Sequence, residues 1–141
     1  MLRVVPFKAE HVAALQPQAA QVAEKEFVNP EQLKAFEAGF MVTAMDGDEV
    51  VAVGGVLEIW PGRGVACAML GATASRYLVG LHKIALGVLN AAPFRRIETD
   101  VECGFIQGHK WVRMLGFSMD APCLKAYRPD GGDSSLYSRV R

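Results

Sequence analysis

Apolar and polar positions change period several times along the chain, and each change marks an element. Leu2–Phe7 is an apolar run with Pro6 near its end. It predicts a short strand at a sheet edge, where a missing N–H breaks no ladder. Lys8–Leu15 reads as a short helix. Gln18–Phe27 reads as a second one, with Ala19, Ala20, Val22, Ala23 and Phe27 apolar against Glu24, Lys25 and Glu26, closed by Asn29-Pro30. Pro30 also suits the first turn of a third helix running through Leu33 and Phe36 to Gly39, because its fixed φ and absent N–H cost nothing there. The period then shortens. Phe40–Met45, Val50–Trp60 and Val65–Leu70 are strand-like runs separated by Asp46-Gly47-Asp48-Glu49 and Pro61-Gly62-Arg63-Gly64, a pattern that predicts an antiparallel meander. Gly54-Gly55 in the middle run predicts a bulge or a close approach of backbone.

From Tyr77 the helical period returns. Tyr77, Leu78, Leu81, Ala85, Val88 and Leu89 fall on one stripe, with Arg76, Lys83 and Asn90 opposite. The link into this helix is Gly71-Ala72-Thr73-Ala74-Ser75-Arg76, where Thr73 or Ser75 can cap the first turn. A strand feeding a helix N-terminus leaves free N–H donors and a positive partial charge at the junction, the place for an anionic ligand. After Ala92-Pro93, Arg96–Val101 alternates Ile97/Thr99/Val101 against Arg96/Glu98/Asp100, a strand with one wet face. Phe105–Leu115 is a short helix stopped by Gly116, and Phe117 resumes the core. A last hairpin pairs Cys123–Arg128 with Ser134–Val140 around Pro129–Asp133.

With 141 residues, 51% of them hydrophobic and 21% charged, the chain reads as one globular domain spanning 1–141. No apolar run approaches the roughly 20 residues of a bilayer span, and Met1–Pro6 lacks a signal-peptide pattern, so a cytoplasmic setting is expected. Net charge is zero but polarised: residues 1–70 carry five basic and nine acidic side chains, residues 71–141 ten and six. No dense Lys/Arg cluster with interleaved aromatics accompanies this, so two solvated faces explain it better than a nucleic acid does. Cys67, Cys103 and Cys123 have no metal-like spacing and are expected as reduced, packed thiols. His11, His82 and His109 show no i, i+4 pair, and no Gly-x-Ser-x-Gly elbow frames a serine, so neither a metal site nor a nucleophile is expected. Trp60 and Trp111 are expected as core or interface anchors.

The order of elements, strand, helices, three strands, long helix, strand, short helix, two strands, resembles the GNAT superfamily of acetyl-CoA-dependent N-acetyltransferases. Lys110-Trp111-Val112-Arg113-Met114-Leu115-Gly116-Phe117 is similar to the helix that ends in Leu-Gly-Phe before the last strands of these enzymes. The resemblance implies an α+β fold with a mixed, mostly antiparallel sheet of about six or seven strands and helices on both faces. It also implies acetyl-CoA as cofactor, without metal, its diphosphate gripped by a Gln/Arg-x-x-Gly-x-Gly/Ala loop. The positions that correspond are Met69, Leu70, Gly71, Ala72, Thr73, Ser75 and Arg76. No Gly-x-Gly occurs among them, which removes the bare backbone that lets amides approach phosphate. The family's frequent general acid, a tyrosine four residues before the glycine of Gly-Phe, falls on Val112, which cannot protonate a thiolate.

A narrower resemblance is to small proteins of short-tailed bacteriophages described as internal virion or acetyltransferase-like proteins. It rests on Ala52-Val53-Gly54-Gly55, on a basic helix after a loop without the glycine signature, and on Asp130-Gly131 near the C-terminus. It implies a virion-associated or assembly role in a host cytoplasm or phage particle, with phage structural proteins or a second copy as partners. Candidate catalytic groups are few. Asp100 and Glu102 at the end of the fifth strand, and Glu58 before Trp60, are each either a general base for an amine or a solvated acid; Arg95, Arg96 or Lys110 can pair with the first two. Arg76 can either replace missing loop amides at a phosphate or simply belong to the polar helix face.

Overall fold

The computed structural model describes residues 1–17 and 29–141, so the helix expected over Gln18–Phe27 lies outside the described residues. Described elements are β1 (Arg3–Pro6), α1 (Glu10–Ala14), α2 (Pro30–Phe36), β2 (Phe40–Asp46), β3 (Glu49–Trp60), β4 (Arg63–Leu70), a 3₁₀ turn (Ala74–Tyr77), α3 (Leu78–Ala91), β5 (Arg96–Glu102), α4 (Ile106–Met114), β6 (Ser118–Leu124) and β7 (Ser134–Val140). The strands follow one another as β1-β2-β3-β4-β5-β7-β6, a seven-stranded sheet in which β1 takes the edge that Pro6 suits. Pairs β1–β2, β2–β3, β5–β7 and β7–β6 are antiparallel, and β4–β5 is parallel. Packing divides the chain into two compact units, Met1–Leu57 with Cys67–Ala92, and Glu58–Ala66 with Pro93–Arg141.

In the first unit the sheet is covered on both faces. Phe7, Val12 and Leu15 pack with Met41, Val50 and Val53, joined by Leu33 and Phe36 of α2 and by Met69. Leu81 of α3 packs with Ala44, Val51, Ala52 and Ala74, joined by Leu2, Leu70, Tyr77 and Ile84. Pro30 opens α2 as expected, because Asn29 accepts the Glu31 N–H at 2.9 Å and satisfies one orphan donor. The glycine pair in β3 is a site of close backbone approach: a Cβ on Gly55 would lie 1.8 Å from the Phe40 carbonyl oxygen. The bulge itself sits elsewhere. Ala44 pairs with Ala52 and Met45 with Val50, leaving Val51 as the extra residue, so Val51 and Ala52 face the same core.

Two expectations for α3 are corrected. Neither Thr73 nor Ser75 caps it: a 3₁₀ turn intervenes, the helix starts at Leu78, and its flanking residue Tyr77 makes no side-chain cap bond. The apolar stripe is also rotated, because Leu78 is 59% exposed while Ile84 packs inward. The extra 3₁₀ turn changes the phase from which the period was counted.

In the second unit β7 lies between β5 and β6, with buried Phe94, Ile97, Val101, Val112, Leu115, Phe117 and Tyr137. Gly116 ends α4 as expected. With φ at +94°, it donates to Arg113 O, while Phe117 N donates to Val112 O, each at 3.0 Å, and buried Val112 and Phe117 accompany the motif. The turn after Trp60 is shorter than expected. Pro61-Gly62 alone makes it, Gly62 having φ +91°, so Arg63 and Gly64 belong to β4. The last hairpin is also corrected: β7 pairs with Ser118–Leu124, and residues 125–133 form the connecting loop.

Candidate functional site

The β4–α3 junction folds back on its own backbone. Gly71 N–H donates to Val51 O and Ala72 N–H to Gln16 O, both at 2.7 Å, while Ala74 and Arg76 donate to Gly71 and Thr73 carbonyls at 3.0 and 3.1 Å. These are amides a diphosphate would require, and each already has a carbonyl. Gly71 is a glycine for packing, since a Cβ there would meet Val51 O at 2.8 Å and Leu15 Cδ1 at 3.2 Å. Met69 and Leu70 point into the two cores of the unit. Ser75 and Ala72 are exposed.

Acidic groups stand beside this junction. Thr73 Oγ1 donates to Glu49 Oε1 at 2.6 Å, and the Tyr77 hydroxyl donates to Asp46 Oδ2. The bond from Tyr77 holds the Asp46 carboxyl below its ordinary range, and Asp46 in turn pushes the phenol up. Arg76 is exposed, and its guanidinium pairs with no described residue. Of the seven positions corresponding to the cofactor loop, Arg76 alone offers an uncommitted charge. The N–H groups of Gly71, Ala72, Ala74 and Arg76 are therefore not free donors for a diphosphate.

The second unit holds the carboxylates. Arg63 clasps Glu98 in a fork, Nε to Oε2 and Nη2 to Oε1, each at 2.8 Å, and Arg96 Nε adds a third bond at 2.7 Å. Arg96 Nη2 continues to Asp120 Oδ2 at 2.6 Å. Arg63 also stacks 4.5 Å from the Trp60 ring centroid. The Arg63 bonds, with those of Arg96 and against the effect of burial, bring the Glu98 carboxyl down to about 2. The expected wet face of β5 is thus not wet at Glu98, which is 9% exposed, because Arg63↔Arg96 and Val65↔Glu98 pairing brings two guanidiniums around it.

Asp100 accepts from Ser134 Oγ at 2.9 Å and lies 3.8 Å from Arg128 Nη1, so its partner is none of the cations expected. Glu58 and Glu102 are exposed and pair with no described side chain. Val112 is buried under the α4 terminus. Trp60 is exposed and not a core residue. His109 bridges Tyr137 OH at 2.7 Å and the carbonyls of Glu102 and Cys103 at 3.0 Å; two carbonyl acceptors make Nε2 the protonated nitrogen. The three thiols are free as expected but exposed rather than packed. Sequence reasoning missed the Arg63–Glu98–Arg96–Asp120 chain. Its only local signal is Arg-x-Glu on β5, since the clasping arginine is 35 residues away. Among the described residues no group of three or more His, Cys, Asp or Glu is arranged to hold a metal, and no helix is long and apolar enough to cross a membrane.

No family model matches the chain, and no curated protein matches it in sequence. Its fold does match solved structures along nearly its whole length. Ard1 from Thermoplasma volcanium superposes with TM-score 0.77 at 12% identity, covering 99% of this chain and 97% of that one. An acetyltransferase of the GNAT family from Streptococcus pneumoniae gives 0.74 at 10% identity, covering all of both chains. The Bacillus subtilis acetyltransferase solved in complex with CoA gives 0.71 at 14% identity, covering 99% and 97%. The chain has the GNAT acyl-CoA N-acyltransferase fold, α+β, with a seven-stranded, mostly antiparallel sheet flanked by helices.

Proposed function

We propose that this is a GNAT-fold protein without robust transferase turnover, acting as a virion-associated or assembly protein of a bacteriophage. The observation that carries the first half is the state of the junction amides: Gly71, Ala72, Ala74 and Arg76 N–H groups all donate within the chain. A diphosphate would have to displace those bonds and approach Asp46 and Glu49, an unfavourable exchange. Val112 supplies no proton for a leaving thiolate. The phage assignment rests on the pattern of Ala52-Val53-Gly54-Gly55 and Asp130-Gly131 and on the basic helix after a loop without the Gly-x-Gly signature. Phage structural proteins, or a second copy of this chain, are the partners that follow.

Calorimetric titration with acetyl-CoA tests the reading. No binding heat is expected. Tight binding that Arg76→Ala abolishes would overturn it. Tail, portal or capsid genes beside the coding sequence are the expected genomic setting, and a purely metabolic neighbourhood would count against the assembly role.

A second reading is favoured by Arg76. An exposed guanidinium without a described partner can grip phosphate by itself, as an active acetyl-CoA-dependent N-acetyltransferase with a diverged diphosphate loop would need. In that case the amine's proton goes to an uncommitted carboxylate, Glu58 or Glu102, rather than to Asp100 with its Ser134 bond. Acetylation of a general amine substrate, lost in Glu58→Gln or Glu102→Gln, separates this reading from the first.

A further inference from the structure

Cys103 and Cys123 are 20 residues apart in sequence, yet both are anchored at the start of β7. Cys103 directly follows β5, and its N–H donates to Asp133 O at 3.0 Å. Cys123 lies in β6 where the ladder to β7 slips twice, between Met119 and Ala121 and again before Leu124. That irregularity releases Pro122 and Cys123 from flat pairing and turns them toward the first strand end. The Cys123 thiol donates to Asp133 Oδ2 at 3.6 Å. Cys103 Sγ lies 3.7 Å from both Pro122 O and Ser135 Oγ, and that hydroxyl donates to Pro122 O at 2.8 Å. Cys103 Sγ thus reaches the carbonyl that directly precedes Cys123, and both residues are exposed. Cys67, in the other unit, has a different partner, Met41 Sδ at 3.9 Å.

We infer that Cys103 and Cys123 form a dithiol modification site, closed to an intramolecular disulfide by a small disulfide of the glutathione class. A thiol 3.7 Å from the carbonyl next to its partner residue, in a strand whose ladder is already broken there, brings the two sulfurs into a range that local adjustment of β6 can close. The chemistry is thiol–disulfide exchange in two displacements. Cys103, as thiolate, attacks one sulfur of the small disulfide, forming a mixed disulfide and releasing one small thiolate. Cys123 then loses its proton to water beside the Asp133 carboxylate and attacks Cys103 Sγ, expelling the second small thiolate. Two protein thiols are oxidised, one small disulfide is reduced to two thiols, and no other reactant is required. Burial and the Asp133 charge hold the Cys123 thiol up, which suits it to the second displacement rather than the first. The bond would join the two ends of the segment that contains α4. This site is independent of any acyl-CoA chemistry.

The test treats the full chain in native buffer with glutathione disulfide, followed by thiol counting and peptide mass mapping. Expected are a Cys103–Cys123 cross-link, a loss of two of the three free thiols, and an untouched Cys67. Cys67→Ser should form the same cross-link, and Cys123→Ser should stop at a glutathione adduct on Cys103. Separate adducts on Cys103 and Cys123 without a cross-link, a bond to Cys67 or between two copies, or a cross-link that forms only in denaturant would each overturn the assignment.

Discussion

The two ends of β4 treat polar groups in opposite ways. At its C-terminal end, in the first unit, the chain satisfies its amides with its own carbonyls and leaves one cation, Arg76, in solvent. At its N-terminal end, in the second unit, Arg63 is locked in a fork on Glu98 and stacked on Trp60. A charge fixed by three charge-assisted bonds contributes to structure and cannot move a proton near neutral pH. A charge left in solvent contributes little to stability but remains free to meet a ligand. The contrast sorts the acid and base candidates: Glu98 is structural, whereas Arg76, Glu58 and Glu102 are exposed and uncommitted among the described residues.

The sharpest break of the first unit is Gly55→Ala. Its Cβ would sit 1.8 Å from a backbone oxygen that cannot rotate away, so a loss of about 3 kcal/mol or more is expected in urea unfolding, or no folded protein at all. Gly87→Ala on α3, with nothing within 4 Å, serves as control and should gain about 0.5–1 kcal/mol.

Breaking the second unit's clasp comes next. Glu98→Gln leaves two guanidiniums facing a neutral amide and should cost about 2 kcal/mol. It should also change the acid limb of stability. The folded Glu98 carboxyl titrates at about 2 against an ordinary 4.5, so its contribution is complete above pH 4.5 and is lost as pH falls toward 2. Melting curves over that window should flatten in the variant. If wild type and variant lose stability in parallel, the clasp contributes nothing.

A smaller effect is expected at the first unit's turn. Tyr77→Phe removes the bond that holds Asp46 low, so the Asp46 carboxyl should titrate at higher pH by NMR, back toward 3.8. The smallest is Arg76→Ala. With no described partner to lose, its stability should stay within about 0.5 kcal/mol of wild type, while any phosphate affinity should vanish.

Local signals were readable and distant ones were not. Asn29-Pro30 and Gly116-Phe117 announce helix ends because each cap is made by neighbours in sequence, and the meander follows from alternation between two glycine turns. The GNAT-like order of elements could be read for the same reason. The 3₁₀ turn before α3 escaped because Thr73, a good cap in isolation, is taken by Glu49 across the β2–β3 turn. The partner of β7 escaped because Ser118–Leu124 has no clean alternation and includes Pro122, so only the fold selects it. At the site, the missing Gly-x-Gly signature and Val112 were visible directly. Glu98 looked solvated because its clasp comes from another strand, and Asp100 because Arg128 lies in a loop 28 residues further on.

The surplus residue in β3 has a reach beyond its own strand. Because Val51 is left over when Ala44 meets Ala52 and Met45 meets Val50, the pleat is reset just before the turn that carries Asp46 and Glu49. Excising Val51 would restore an unbroken zigzag in which Ala52 and Val50 keep their partners Ala44 and Met45 and their separate cores. It would, however, remove the carbonyl that tethers Gly71, while Glu49 stays opposite Asp46. One unpaired position thus sets the wiring of a junction twenty residues downstream, and the most economical way to reopen that junction is a deletion rather than a substitution.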